Sequence, residues 1–192
     1  MLYVEIVAVI LSASAVCLGI QQHIWCWPIG LLSALLYSYI FFHEKIYSDF
    51  LLQLIFAFMQ LYGWWKWDNF MSRQQGRRKP LRPLHLSKSG CLVGLLIGAF
   101  GGLVLGYIMA NFTDAQIPWL DSVLTSFSLV AQFWVSRRYI ANWCLWIAVD
   151  TVYIGVYVYK DMTLTAGLYA SFLALAVTGL MNWRLQALSS SS

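Results

Sequence analysis

The chain has 192 residues, of which 60% are hydrophobic and only 10% charged, and its formal net charge is +4 at pH 7. Because a soluble domain carries about 25% charged residues, this composition indicates an integral membrane protein. The apolar segments take up most of the chain, so a separate soluble catalytic domain is excluded.

Seven apolar segments are predicted to cross the membrane, since a spanning helix needs roughly 20 largely apolar residues. By that measure the second segment is short. The first segment has the length of a signal peptide, but its acidic start at Glu5 favours a mature helix. In chain order the predicted spans are Val4–Ile20, Trp27–Phe42, Ile46–Trp65, Cys91–Asn111, Trp119–Val135, Ala141–Tyr159 and Thr163–Trp183.

The basic residues predict how the chain is oriented in the membrane. Most of them lie in segment 66–90, at Arg137-Arg138 and at Arg184. With the predicted spans, all three places fall on the same side of the membrane. An excess of basic residues is typical of the cytoplasmic side. The N-terminus is therefore expected outside and the C-terminus in the cytoplasm. The basic loop is expected to contact anionic lipid headgroups of the bilayer. Its role in setting the membrane orientation explains the basic residues, so no nucleic-acid partner is expected.

An internal repeat appears when the chain is shifted by 116 residues, because Trp27, Gly63 and Trp67 then fall on identical residues. This match predicts two parallel three-helix repeats, at 1–67 and 112–192, joined by a basic loop and linker helix at 68–111. Transporters with such repeats hold substrate near the midplane, between the halves. The matched pairs are Glu5/Asp121, Ser12/Ser128, Ala15/Ala131, Ile24/Ile140, Trp27/Trp143, Tyr37/Tyr153, Phe56/Phe172, Gly63/Gly179 and Trp67/Trp183.

Four glycines recur at every fourth position of the linker helix: Gly94, Gly98, Gly102 and Gly106. A stripe of small residues lets another helix approach closely. It is expected to pack the linker against a repeat, with an oligomer contact as the alternative.

The sixth span places two tryptophans and one acid on one helical face, at Trp143, Trp146 and Asp150, and Tyr153 continues the stripe. An acid inside a membrane span usually has a function, and aromatic faces attract cations. The stripe therefore predicts a site for a flat organic cation. The alternatives are an interfacial aromatic belt for the tryptophans and a polar helix–helix contact for Asp150, with Gln53 or Gln60 as its partner.

Gln53 and Gln60 are seven residues apart on the third span and share a face. Their amides both donate and accept hydrogen bonds, so they suit either a polar substrate or a contact between helices. Tyr169 takes the position of Gln53 in the second repeat. No metal ion or cofactor is expected, because the histidines lack metal-ligand spacing. A single deep carboxylate without a deep histidine or lysine does not favour an enzyme.

The motif Trp143-x-x-Trp146-x-x-x-Asp150 resembles the WxxWxxx(N/D) motif of the PnuC family of bacterial vitamin transporters. The flanking segments 137–143, 47–53 and 62–64 are similar to the same family. The resemblance implies an all-α, seven-helix, 3+1+3 fold related in plan to the SWEET sugar exporters, as a multi-pass protein of the inner membrane. It also implies facilitated diffusion, trapping of the vitamin by a cytoplasmic kinase, and a homotrimer.

Asp150 bears on the substrate that the resemblance implies, because members that carry nicotinamide riboside tend to have asparagine at this position. The chain looks closer to the PnuT branch, which carries thiamine. Thiamine uptake is therefore the expectation, with nicotinamide riboside uptake or proton-coupled symport as alternatives. The expected site is Trp143, Trp146, Asp150, Gln53, Gln60, Tyr153 and Tyr169. A membrane sensor is the rival class, and the lack of an output domain in this sequence argues against it.

Overall fold

The computed structural model describes residues 2–43, 47–72, 82–113, 117–159, 161 and 163–189. These residues form an all-α protein, and each predicted span corresponds to a helix. Two helices run past the predicted C-terminal ends of their spans, to Ser72 and Ser189. The helices are α1 (Leu2–Ile20), α2 (Cys26–His43), α3 (Tyr47–Ser72), α4 (Lys88–Phe112), α5 (Pro118–Ser136), α6 (Ala141–Tyr159) and α7 (Thr163–Ser189).

Five of these helices are long and apolar enough to cross a membrane: α1, α2, α4, α6 and α7. Helices α3 and α5 fall short of this measure, although both were predicted to span. Polar residues lower the mean hydropathy of α5, and four of them, Ser122, Ser126, Ser128 and Ser136, are buried. Helix α3 carries amide and charged residues such as Gln53, Gln60 and Lys66 along its length.

The chain divides into two compact units, Met1–Arg82 and Pro83–Ser192. In the first unit α1 packs on α2 and α2 packs on α3. In the second unit α4 packs on α5, α5 on α6 and α6 on α7. The linker helix α4, which the sequence analysis treats as a connector, thus packs within the second unit. Ile46 and residues 73–81 of the basic loop lie outside the described residues, so the role of that loop stays a prediction.

The turn from α1 to α2 and the turn from α5 to α6 have the same backbone structure. Gln22 and Arg138, at equivalent positions of the repeat, both adopt a left-handed conformation, with φ of 55° and 62°. Each ends its helix in a Schellman motif, in which two N–H groups bond back to the last turn. The bonds are Gln22 N to Gly19 O (3.0 Å), His23 N to Leu18 O (2.9 Å), Arg138 N to Val135 O (2.8 Å) and Tyr139 N to Trp134 O (3.0 Å).

The glycine stripe of α4 faces α5, which confirms its predicted packing role. All four stripe glycines are buried. A Cβ added at Gly94, Gly98, Gly102 or Gly106 would overlap Trp134, Phe127, Val123 or Trp119, respectively. Because the partners run backward along α5 as the glycines run forward, the two helices are antiparallel.

Gly102→Ala is expected to destabilise the protein by about 1–3 kcal/mol, the usual cost of overpacking a contact. The added methyl would lie 3.0 Å from the backbone Cα of Val123, which a side-chain rotation cannot relieve. Gly155→Ala is the matched control, because nothing lies within 4 Å of that position, and it should be neutral or stabilising by up to about 1 kcal/mol. Thermal unfolding in detergent compares the two variants, and equal midpoints would contradict the packing role.

Candidate functional site

Helix α6 carries the predicted motif, and the structure separates its members into two environments. Trp143 and Asp150 are each only 4% exposed, whereas Trp146 is half-buried. The turn before the helix is held by Asn142, whose side-chain Nδ2 donates to Tyr139 O at 2.7 Å. The start of α6, and with it the register of the motif, is therefore fixed by the turn that follows α5.

Trp143 packs between α6 and α7. Its ring lies against Gly179, where a Cβ would overlap it, and meets Trp183 edge-on with ring centroids 5.4 Å apart. Since it is buried inside the unit, the interfacial-belt interpretation does not fit Trp143.

The first unit has the same arrangement. Trp27 lies against Gly63 and meets Trp67 edge-on with centroids 5.2 Å apart. We call each set of tryptophan, glycine and edge-on tryptophan a tryptophan clasp. Neither Trp27 Nε1 nor Trp143 Nε1 has an acceptor among the described residues.

Asp150 lies two helical turns beyond Trp143, and its equivalent in the first unit is the buried Ala34. Within the part of the chain that the structure describes, no hydrogen-bond donor contacts its carboxylate. Tyr169 of α7 interacts electrostatically with Asp150. A buried carboxylate without a hydrogen-bond donor is costly, and an acid inside a membrane span usually has a function.

Three tyrosines form a stacked cluster at the next turns of the same face, which we call the tyrosine cluster: Tyr153, Tyr157 and Tyr169. Tyr169 is 4.6 Å from Tyr153 and 5.3 Å from Tyr157 between ring centroids. Tyr153 and Tyr157 are 6.0 Å apart with nearly parallel rings. Tyr157 and Tyr169 also share a side-chain hydrogen bond. Two predicted residues, Tyr153 and Tyr169, are thus brought together.

Tyr157 was missed by the sequence analysis. Two signals were available, because Tyr157 is seven residues after Asp150 and therefore on its face, and because its repeat equivalent is Phe41. Phe41 stacks on Tyr37 with centroids 5.9 Å apart, as Tyr157 does on Tyr153.

The two predicted glutamines belong to α3, in the first unit, and both are half-buried. The amide of Gln60 lies over Gly30 of α2, where the missing side chain leaves room for it. Gln53 is the equivalent of Tyr169 at the 116-residue offset of the repeat.

The second unit therefore presents a carboxylate and several aromatic faces within its apolar helices, a combination that attracts an organic cation. Among the described residues there is no group of three or more His, Cys, Asp or Glu side chains that could hold a metal ion. Fold and site together define a multi-pass membrane protein with a buried acid and an aromatic cluster on one face of its second unit.

The chain belongs to the nicotinamide mononucleotide transporter family, which matches residues 2–185. It is 23% identical over 195 residues to the nicotinamide riboside transporter PnuC of Escherichia coli K12, covering 89% of this chain and 81% of that one. It is 22% identical over 184 residues to the riboflavin/roseoflavin transporter RibM of Streptomyces davaonensis, covering 95% of this chain and 85% of that one.

A solved structure described as the vitamin B3 transporter PnuC superposes with a TM-score of 0.77 at 23% identity, covering 97% of this chain and 83% of that one. The resemblance to the PnuC family of multi-pass membrane transporters is therefore confirmed. These relatives are named for nicotinamide riboside and riboflavin, and they give no support to the thiamine branch.

Proposed function

We propose that this protein takes up a vitamin that carries a positively charged nitrogen heterocycle, with nicotinamide riboside as the first candidate. The observation that supports this most is Asp150, which is buried, lacks a donor within the described chain and lies on the same face as the tyrosine cluster. A cationic ring would supply the positive charge that balances the Asp150 carboxylate, and it would stack on the aromatic faces of the tyrosine cluster. The E. coli relative named for nicotinamide riboside favours that substrate over thiamine.

Thiamine is the second candidate, because Asp150 provides a full negative charge for its thiazolium ring. Riboflavin, for which RibM is named, is a neutral ring system and would leave the carboxylate uncompensated. The charge at Asp150 therefore ranks the three vitamins, with both cations ahead of riboflavin.

The 3+1+3 plan with parallel repeats is part of the same proposal. It is supported by the matched Schellman turns and by the two tryptophan clasps, which recur at the same offset. The outside N-terminus follows from the basic residues. The homotrimer, facilitated diffusion and trapping by a cytoplasmic kinase follow from the family resemblance. Proton-coupled symport is the alternative that Asp150 favours, since a buried acid is able to carry a proton.

Uptake of labelled vitamins into proteoliposomes tests the proposal. We expect nicotinamide riboside to equilibrate without ATP or an ion gradient, thiamine to compete with it, and riboflavin to compete least. Liposomes without protein are the control. Uptake of riboflavin in preference to both cations would contradict the proposed role of Asp150, and a requirement for a proton gradient would replace facilitated diffusion with symport.

A further inference from the structure

The contact between Gly30 of α2 and Gln60 of α3 differs from the other close glycine contacts in the first unit. A Cβ built on Gly30 would lie 2.5 Å from Gln60 Nε2, 2.8 Å from Cδ and 3.1 Å from Oε1. All three are atoms of the amide group, so the amide lies directly over the bare backbone of Gly30. At Gly63, by contrast, the added atom would meet the rigid ring of Trp27.

The repeat shows that this contact is specific to the first unit. The equivalents of Gly30 and Gln60 in the second unit are Trp146 and Ala176, so the large and the small residue exchange helices. Ala176 is 2% exposed. A glycine at position 30 is therefore not demanded by the helix-pair geometry that both units share, and in the first unit it accommodates the amide of Gln60.

We propose that Gly30 is a positioning residue, whose missing side chain sets the place from which the Gln60 amide hydrogen-bonds the substrate. This inference rests on the proposed function, because Gln60 is itself a predicted substrate-binding residue. The amide is the far end of a flexible side chain, so a methyl group at position 30 would displace it without disturbing the backbone. The effect of such a change should therefore fall on substrate affinity and not on folding.

Gly30→Ala, Gln60→Ala and the double variant form a cycle that tests this, with the apparent KM for nicotinamide riboside measured in proteoliposomes. One hydrogen bond lost corresponds to a roughly 3- to 10-fold rise in KM. We expect that rise in each single variant, with little change in the maximal rate or thermal midpoint. The KM of the double variant should be no higher than that of Gln60→Ala, because the two changes remove the same interaction.

A packing role for Gly30 would give a different result. The KM of Gly30→Ala would then be unchanged, or its effect would add to that of Gln60→Ala, and either outcome overturns the inference. Gly63→Ala is the matched control, since it strains the same helix pair against Trp27 and should lower the thermal midpoint. An unchanged KM in Gln60→Ala would remove the amide from the site and overturn the inference as well. If the wild-type protein transports neither cation, the proposed function itself is wrong, and the wild-type arm shows this separately.

Discussion

Asp150→Asn is expected to weaken binding of thiamine by roughly 10- to 100-fold while leaving the fold intact. The loss for nicotinamide riboside should be smaller, because the family resemblance associates asparagine at this position with that vitamin. Interactions with a charged group contribute about 1.5–3 kcal/mol, and each 1.4 kcal/mol corresponds to a tenfold change in affinity. Asparagine has nearly the same shape as aspartate, so the packing around a side chain that is only 4% exposed is kept. What the substitution removes is the charge.

The stability of the ligand-free protein should not fall in this variant, and this separates a binding role from a structural one. In the described chain no donor contacts the carboxylate, so removing its charge relieves a cost of burial and breaks no hydrogen bond. A structural acid paired with a neighbour would behave in the opposite way, because loss of the pair would destabilise the fold.

Calorimetric titration of purified protein with nicotinamide riboside and with thiamine measures the affinity, and thermal unfolding without ligand measures the stability. Asp68→Asn is the matched control, since Asp68 is an exposed acid on α3 and its loss should change neither quantity. Riboflavin is the control ligand, because its neutral rings gain little from the charge. Equal affinity of the wild type and Asp150→Asn for thiamine would remove Asp150 from the site.

The helices and the motif face were predictable from the sequence because they depend on local patterns. Runs of apolar residues located every helix, and the helical period put Trp146, Asp150 and Tyr153 on one stripe. Helices α3 and α5 were located as well, although their polar residues keep them below the length and composition measure that the other five helices meet. Two of the three residues of the tyrosine cluster were predicted, and Tyr157 was missed because its stacking on Tyr169 depends on how α6 packs on α7.

The comparison of the two halves also separates packing residues from candidate site residues. Residues that are identical at the 116-residue offset, such as Trp27/Trp143 and Gly63/Gly179, hold helices together in the structure. The candidate site residues Asp150, Gln53 and Gln60 lie at positions that differ at this offset. These differing pairs are Gly30/Trp146, Ala34/Asp150, Gln53/Tyr169 and Gln60/Ala176. Trp143, grouped with the substrate site from its sequence motif, belongs by this criterion with the packing residues.

Gly179→Ala is expected to destabilise the protein by about 1–3 kcal/mol through overpacking, and Gly63→Ala by a similar amount. In each case the new methyl group meets the ring of a buried tryptophan, and an edge-on second tryptophan leaves that ring no room to move. Thermal unfolding in detergent measures the loss. Gly155→Ala, at an open position, is the control.

Second-site changes in the clasps decide whether Trp143 has a role besides packing. Trp143→Phe should restore part of the stability of Gly179→Ala, and Trp27→Phe should do the same for Gly63→Ala, because the smaller ring vacates the space. If Trp143 only packs, the two single Trp→Phe variants should have equal and small effects on the affinity for nicotinamide riboside. A loss of affinity confined to Trp143→Phe would instead indicate that Trp143 contacts the substrate. Its buried Nε1 donor is able to do so, because it has no acceptor within the described residues. The same is true of Trp27 Nε1.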